Sequence, residues 1–144
     1  MKKWLFFLLL LVVLLLSACS GNDELSGKTF DVSEVSPVNY PDELFPIMTL
    51  EFSAGNRVKN TMGYEDEGTY ELMDDKLVIQ FENENESLEI EFTLEESEKD
   101  FSTYSAEISD SNLEIEDSNQ VSKYKGLYQK LWDRHFEIIE VIES

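Results

Sequence analysis

The sequence predicts a mainly β fold, an antiparallel meander forming a small barrel or sandwich, with one C-terminal amphipathic helix. Three observations carry that expectation. From Met48 onward apolar and polar residues alternate with period two, the mark of strands with one face in a core and one in water. Turn-forming residues interrupt the alternation about every ten residues, as in antiparallel sandwiches and barrels. Near the C-terminus the apolar spacing changes to three and four, which is helical.

The chain opens with Lys2 and Lys3, runs apolar for 13 residues from Trp4 to Leu16, and turns to small residues at Ser17 and Ala18. That order is a charged region, an apolar region and a cleavage region of an export signal. The apolar run falls short of the ~20 residues that span a bilayer core as a helix. Leu16-Ser17-Ala18-Cys19 resembles the lipobox of bacterial lipoproteins at all four positions. The resemblance implies that residues 1–18 are removed and that a diacylglyceryl group on the Cys19 sulfur makes the membrane a partner. It implies an extracytoplasmic, lipid-anchored place on a cell membrane, with a Gram-positive type of envelope favoured. Two acyl chains on one residue suffice for stable anchoring, where one gives marginal binding. Cys19 is the only cysteine, so no internal disulfide is available and the core alone must hold the domain. Residues 19–27 then read as the lipidated cysteine and a short polar linker, with Ser20 to Gly27 reaching about 28 Å when stretched. Residues 28–144 read as a single domain.

The first strand is expected at Lys28–Val35. Met48, Leu50 and Phe52 alternate with Thr49, Glu51 and Ser53, Ala54-Gly55-Asn56 turns the chain, and Arg57 to Met62 returns. Tyr70 and Leu72 share a face. Asp74-Asp75 connects them tightly to Leu77, Ile79 and Phe81. After the polar stretch Glu82 to Glu86, Leu88, Ile90, Phe92 and Leu94 alternate with Glu89, Glu91, Thr93 and Glu95. Two further strands are expected at Ser102–Ile108 and Asn112–Glu116.

The segment from Gly68 to Phe81, with Gly68-Thr69-Tyr70 before the turn and Leu77, Ile79 and Phe81 after it, resembles the repeated hairpin of small lipocalin-like domains in exported lipoproteins. Leu25-Ser26-Gly27-Lys28-Thr29-Phe30 resembles the opening of such domains, with Phe30 where tryptophan is usual. The resemblance implies a fold more than an activity.

At the C-terminal end Val121, Tyr124, Leu127 or Tyr128, Leu131 and Trp132 mark an amphipathic helix over about 119–134, with Asp117 or Ser118 as its cap. Phe136 to Ile142 is expected to close the fold as a strand, for its β-branched residues.

Removal of residues 1–18 leaves 9 Lys and Arg against 31 Asp and Glu, a net charge of −22. Nucleic acid is excluded as a partner, because binding it depends on basic residues that neutralise phosphates. No cofactor is expected. Catalytic residues are not identified: His135 is the only histidine and no G-x-S-x-G elbow occurs. Metal ligands are not identified either, because Glu82 to Glu86 and Asp110 to Glu114 alternate oxygen ligands without the glycine and terminal glutamate of a calcium loop. Two functions stand. The first is a binding module whose barrel holds a small apolar or amphipathic envelope ligand against Phe52, Tyr70, Phe81 and Phe92. In the alternative these rings simply fill the core, and the protein acts on an exported protein partner or protects the envelope. Lys123, Lys125, Lys130 and Arg134 gather beside the helix strip, which either packs across the barrel or faces the membrane.

Overall fold

A computed structural model of the chain describes residues 24–35, 44–63, 65–100, 102–132 and 138–143, with the side chains of residues 35 and 138–140 left aside. Eight strands follow one another as β1 (Thr29–Val35), β2 (Leu44–Ser53), β3 (Arg57–Asn60), β4 (Asp66–Met73), β5 (Lys76–Glu82), β6 (Glu86–Glu96), β7 (Tyr104–Ile115) and β8 (Ile138–Glu143). Helix α1 (Lys125–Trp132) lies between β7 and β8. Each strand pairs antiparallel with the next, and β8 pairs back onto β1, so the sheet closes as a barrel rather than dividing into a sandwich. Closure removes the sheet edges that would otherwise recruit other chains.

Alternation in the sequence becomes alternation in burial. Along β5, Leu77, Ile79 and Phe81 point inward while Lys76, Gln80 and Glu82 are exposed. Inward residues from all eight strands form one continuous core, from Phe30 and Val32 on β1 to Val141 on β8. The Ala54-Gly55-Asn56 turn joins β2 to β3, with Gly55 at φ +80° and Asn56 at +57°, conformations that glycine and asparagine tolerate.

Two irregularities bend the strands. Opposite β1, the register slips between Val32 and Ser33 so that Ile47 is the extra residue on β2. Ile47 and Met48 are consequently both buried, and Pro46 sits where a bulge tolerates a missing donor. On β7 the register slips opposite Glu91 and Phe92, leaving Ser109 as the extra residue. Inward positions change there from Ala106 and Ile108 to Ser111 and Leu113. The two strands expected at Ser102–Ile108 and Asn112–Glu116 are thus one bulged strand.

The helix is shorter than the expected span of 119–134. Asp117 does cap, but it caps a turn: its Oδ1 accepts the amide of Asn119 at 3.0 Å and its carbonyl accepts the amide of Gln120 at 3.2 Å. Ser122 takes the capping role, its Oγ accepting the amide of Lys125 at 3.0 Å. α1 packs against β7, burying Leu131 fully and Leu127 and Tyr128 in part, and Tyr124 just before it is buried too. Val121 and Trp132, expected in the same strip, are 97% and 59% exposed. The expected closing strand is present as β8.

Candidate functional site

The topology gives the barrel two unlike ends. One end, here the mouth, gathers the turn before β1, the β2–β3, β4–β5 and β6–β7 connections and the end of β8. The other, the floor, gathers the β1–β2, β3–β4 and β5–β6 connections and the long segment that carries α1.

At the mouth, Leu25-Ser26-Gly27-Lys28 forms a tight turn. The amide of Lys28 donates to the Leu25 carbonyl at 3.0 Å, and Gly27 adopts φ +80°, the third-position value of a type II turn. The turn is fastened to β2: the Gly27 amide donates to the Phe52 carbonyl and the Phe52 amide to the Lys28 carbonyl, both at 2.9 Å. This geometry folds Leu25 over the barrel opening, where it is only 2% exposed. Beneath it lies an apolar cavity of about 20 Å³, bordered by Phe30, Phe52, Phe92, Leu94 and Tyr104. That is room for little more than one water.

The floor is held by Glu86, which heads β6. Its carboxylate accepts the Ser122 hydroxyl, the amide of Lys123, the amide of Tyr124 at 3.3 Å and the Asn83 side-chain amide at 3.3 Å. The start of a helix exposes amides with no partner inside it, and a carboxylate there also suits the helix dipole. Burial opposes ionisation of Glu86, but the bonds from Ser122, Lys123, Asn83 and Tyr124 outweigh it and hold the carboxyl below its usual value. Next to this clasp the Lys123 ammonium lies 2.6 Å from Asp66 Oδ1, which raises the pKa of Lys123. Tyr124 is buried beside these charges, its ring 6.2 Å from that of Phe81 and 6.0 Å from the Lys123 ammonium. Burial first, then the Asp66 charge, pushes its phenol up.

No protein-family model, curated protein or solved structure matches this chain. The site therefore has to be read from its own geometry. All four ring residues proposed for a ligand are interior: Phe52 and Tyr70 are buried and Phe81 and Phe92 are fully so. Phe52 meets Tyr70 edge-on at 4.7 Å and Phe30 at 5.9 Å. Phe52 and Phe92 border the mouth cavity, whereas Tyr70 and Phe81 pack deeper and do not. Cys19, His135 and Arg134 lie outside the described residues.

Larger spaces are on the outer wall. A groove of about 370 Å³ runs past Lys28, Glu51, Arg57, Lys59 and Glu67. Its cations are answered by carboxylates, Lys59 by Glu65 at 3.0 Å and Arg57 by Glu67 at 3.9 Å. Sequence reasoning missed both residues that shape the ends. Leu25 carried a faint signal, as the first residue of the Leu25-Ser26-Gly27 opening, but Glu86 was one acid in a run of acids.

Proposed function

We propose that this chain is an exported bacterial lipoprotein, anchored by a diacylglyceryl group on Cys19 to the outer face of a membrane, and that its barrel is a non-catalytic scaffold acting on another exported protein. The observation that carries the reading is the distribution of exposed apolar side chains. Among the described residues, six large ones are exposed. Five of them, Phe45, Met62, Ile115, Val121 and Trp132, lie at the floor or on the segment that joins β7 to β8 there, and Met73 alone sits at the mouth. Cys19 precedes Leu25 by six residues, a reach of about 21 Å, so an anchor on it holds the mouth towards the bilayer. The floor then points away from the membrane, where exposed apolar groups meet protein rather than lipid.

Photo-cross-linking in intact cells tests this. A benzophenone side chain at Val121 or Met62 is expected to trap an exported protein, and the same group at Glu107 on the barrel wall is not. Equal trapping from wall and floor, or none from either, would sink the reading. Separately, Cys19→Ala is expected to abolish lipid labelling and release the chain from membranes.

The mouth supports a second reading, in which a small apolar envelope ligand is taken up at the anchored end. The apolar cavity beneath Leu25 favours it over a ligand enclosed among Tyr70 and Phe81.

A further inference from the structure

We propose that the outward face of α1 is a docking site for an acidic segment of the exported partner, one that also carries an apolar side chain to cover Trp132. The inference rests on the reading that the floor meets an exported protein, and adds the chemistry that this protein presents there.

Helical spacing defines the face. Leu127, Tyr128 and Leu131 on α1, and Tyr124 just before it, lie toward the core at intervals of three and four. Lys125, Gly126, Gln129 and Lys130 are exposed on the opposite side. Trp132 ends this face and Val121 precedes it, 59% and 97% exposed. A Cβ added at Gly126 would meet nothing within 4 Å, so the middle of the face is open and an incoming backbone can lie close to the helix.

The charge of this strip is opposite to that of the molecule. From Ser118 to Trp132 there are three lysines, Lys123, Lys125 and Lys130, and no Asp or Glu, in a chain with 31 acids and 11 bases. Elsewhere cations are answered from within, Lys28 by Glu143, Arg57 by Glu67, Lys59 by Glu65 and Lys76 by Glu91. Lys123 is likewise held by Asp66. Lys125 makes no ion pair among the described residues, so its ammonium is open to a carboxylate from another chain.

The acids elsewhere direct such a segment to α1. β6 and β7 expose Glu89, Glu95, Glu107 and Glu114, and like charges there repel it. At physiological salt, charges beyond about 8 Å are largely screened, so a segment lying on α1 feels the helix lysines more than the distant strands. A phosphate polymer would also meet the lysines, but it has no apolar group for Val121 and Trp132. The exposed indole favours a peptide, since tryptophan is among the residues that anchor protein contacts.

The test uses the chain extracted from membranes in detergent and two dye-labelled peptides with the same leucines and phenylalanines, one with glutamate between them and one with glutamine. Fluorescence anisotropy is expected to show saturable binding of the glutamate peptide, tighter than that of the glutamine peptide and weakening as salt rises. Net charge alone predicts the reverse order. Lys125→Glu combined with Gln129→Glu is expected to weaken the glutamate peptide about tenfold. Arg57→Glu combined with Gln80→Glu, the same change in net charge on the barrel wall, should leave its affinity within about twofold. Trp132→Ala is expected to weaken both peptides about tenfold. A glutamine peptide that binds as well as the glutamate peptide, no saturable binding of either, or equal losses from the helix and wall variants overturns the proposal. Poly(glycerol phosphate) that binds more tightly than the glutamate peptide and is lost in the helix variant makes a polyanion the occupant and overturns it too. So does self-association of the chain that the helix variant abolishes. Cross-linking from Val121 decides separately whether the floor meets an exported protein. A protein trapped there, with no preference for the glutamate peptide, removes this inference and leaves that reading. No trapped protein, with the preference intact, removes that reading and leaves an acidic-segment site on α1.

Discussion

A single carboxylate closes the floor of the barrel. Glu86 is buried, and removing it leaves the amides of Lys123 and Tyr124 and the Ser122 hydroxyl without their acceptor, the Tyr124 amide in a buried place. Hydrogen bonds to a charged group contribute roughly 1.5–3 kcal/mol each in favourable cases, and their loss is not additive. Glu86→Ala is accordingly expected to cost about 3 kcal/mol in urea unfolding. Glu86→Gln keeps one acceptor oxygen and should cost less. The pH dependence has a definite sign. Because the folded carboxyl is held below its unfolded value, the clasp stabilises fully above the unfolded pKa of about 4.3 and is lost as pH falls through the folded value. The stability gap between wild type and Glu86→Gln should be widest at neutral pH and narrow below about pH 4. A gap that is constant from pH 7 to pH 3 would mean that the charge of Glu86 contributes nothing.

At the level of the elements, Gly68 explains why a strand of this barrel has a residue without a side chain. It faces Phe81 across the β4–β5 ladder, and a Cβ built on it would lie 2.1 Å from the Gln80 carbonyl oxygen and 2.8 Å from the Phe81 ring. Phe81 could turn aside, but the backbone oxygen cannot without breaking the ladder. Gly68→Ala is expected to destabilise the fold by at least about 2 kcal/mol, read as a lower urea midpoint. Gly126→Ala, where an added Cβ meets nothing, should instead stabilise α1 by up to about 1 kcal/mol. The strands were legible in the sequence wherever period two ran unbroken, as in β5 and β6. It failed at Ser109, because one inserted residue moves the inward positions from even to odd numbers and makes one strand look like two. It failed also at the start of β2, where Ile47 and Met48 are both inward and hide the alternation. α1 was legible in type but not in length. The residues from Asn119 to Ser122 have helical spacing, yet their polar groups find partners in Asp117 and Glu86, and a distant partner leaves no local signature.

For the whole molecule, the two ends differ in exposure: five of the six large exposed apolar side chains among the described residues lie at the floor or on the segment that joins β7 to β8 there. The candidate site followed the sequence only partly: four bulky rings were correctly placed inside, but which of them border the mouth depends on strand order around the closed sheet, which no spacing encodes. In the proposed anchored form, which lacks residues 1–18, the net charge of −22 would repel an anionic bilayer and favour an orientation in which only the segment before Leu25 approaches it. Trp132 would report on that orientation, because it is the only tryptophan after residue 18 and sits on the segment joining β7 to β8 at the floor. It is 59% exposed, with its ring 6.0 Å from that of Tyr128. Helix α1 turns Leu131 to the core, and Tyr124 just before it is buried as well, so the apolar strip is used for packing and little of it remains for lipid. With the protein anchored on vesicles, Trp132 emission is expected at the long wavelength of a hydrated indole, quenched by acrylamide and untouched by bromine-labelled lipid tails. Addition of anionic lipid should leave it unchanged, since in the proposed orientation the mouth and not the helix faces the bilayer. A blue shift with quenching by the brominated tails would place α1 in the interface, where tryptophan and flanking lysines are stable, and would reverse the orientation on which the floor-facing partner depends.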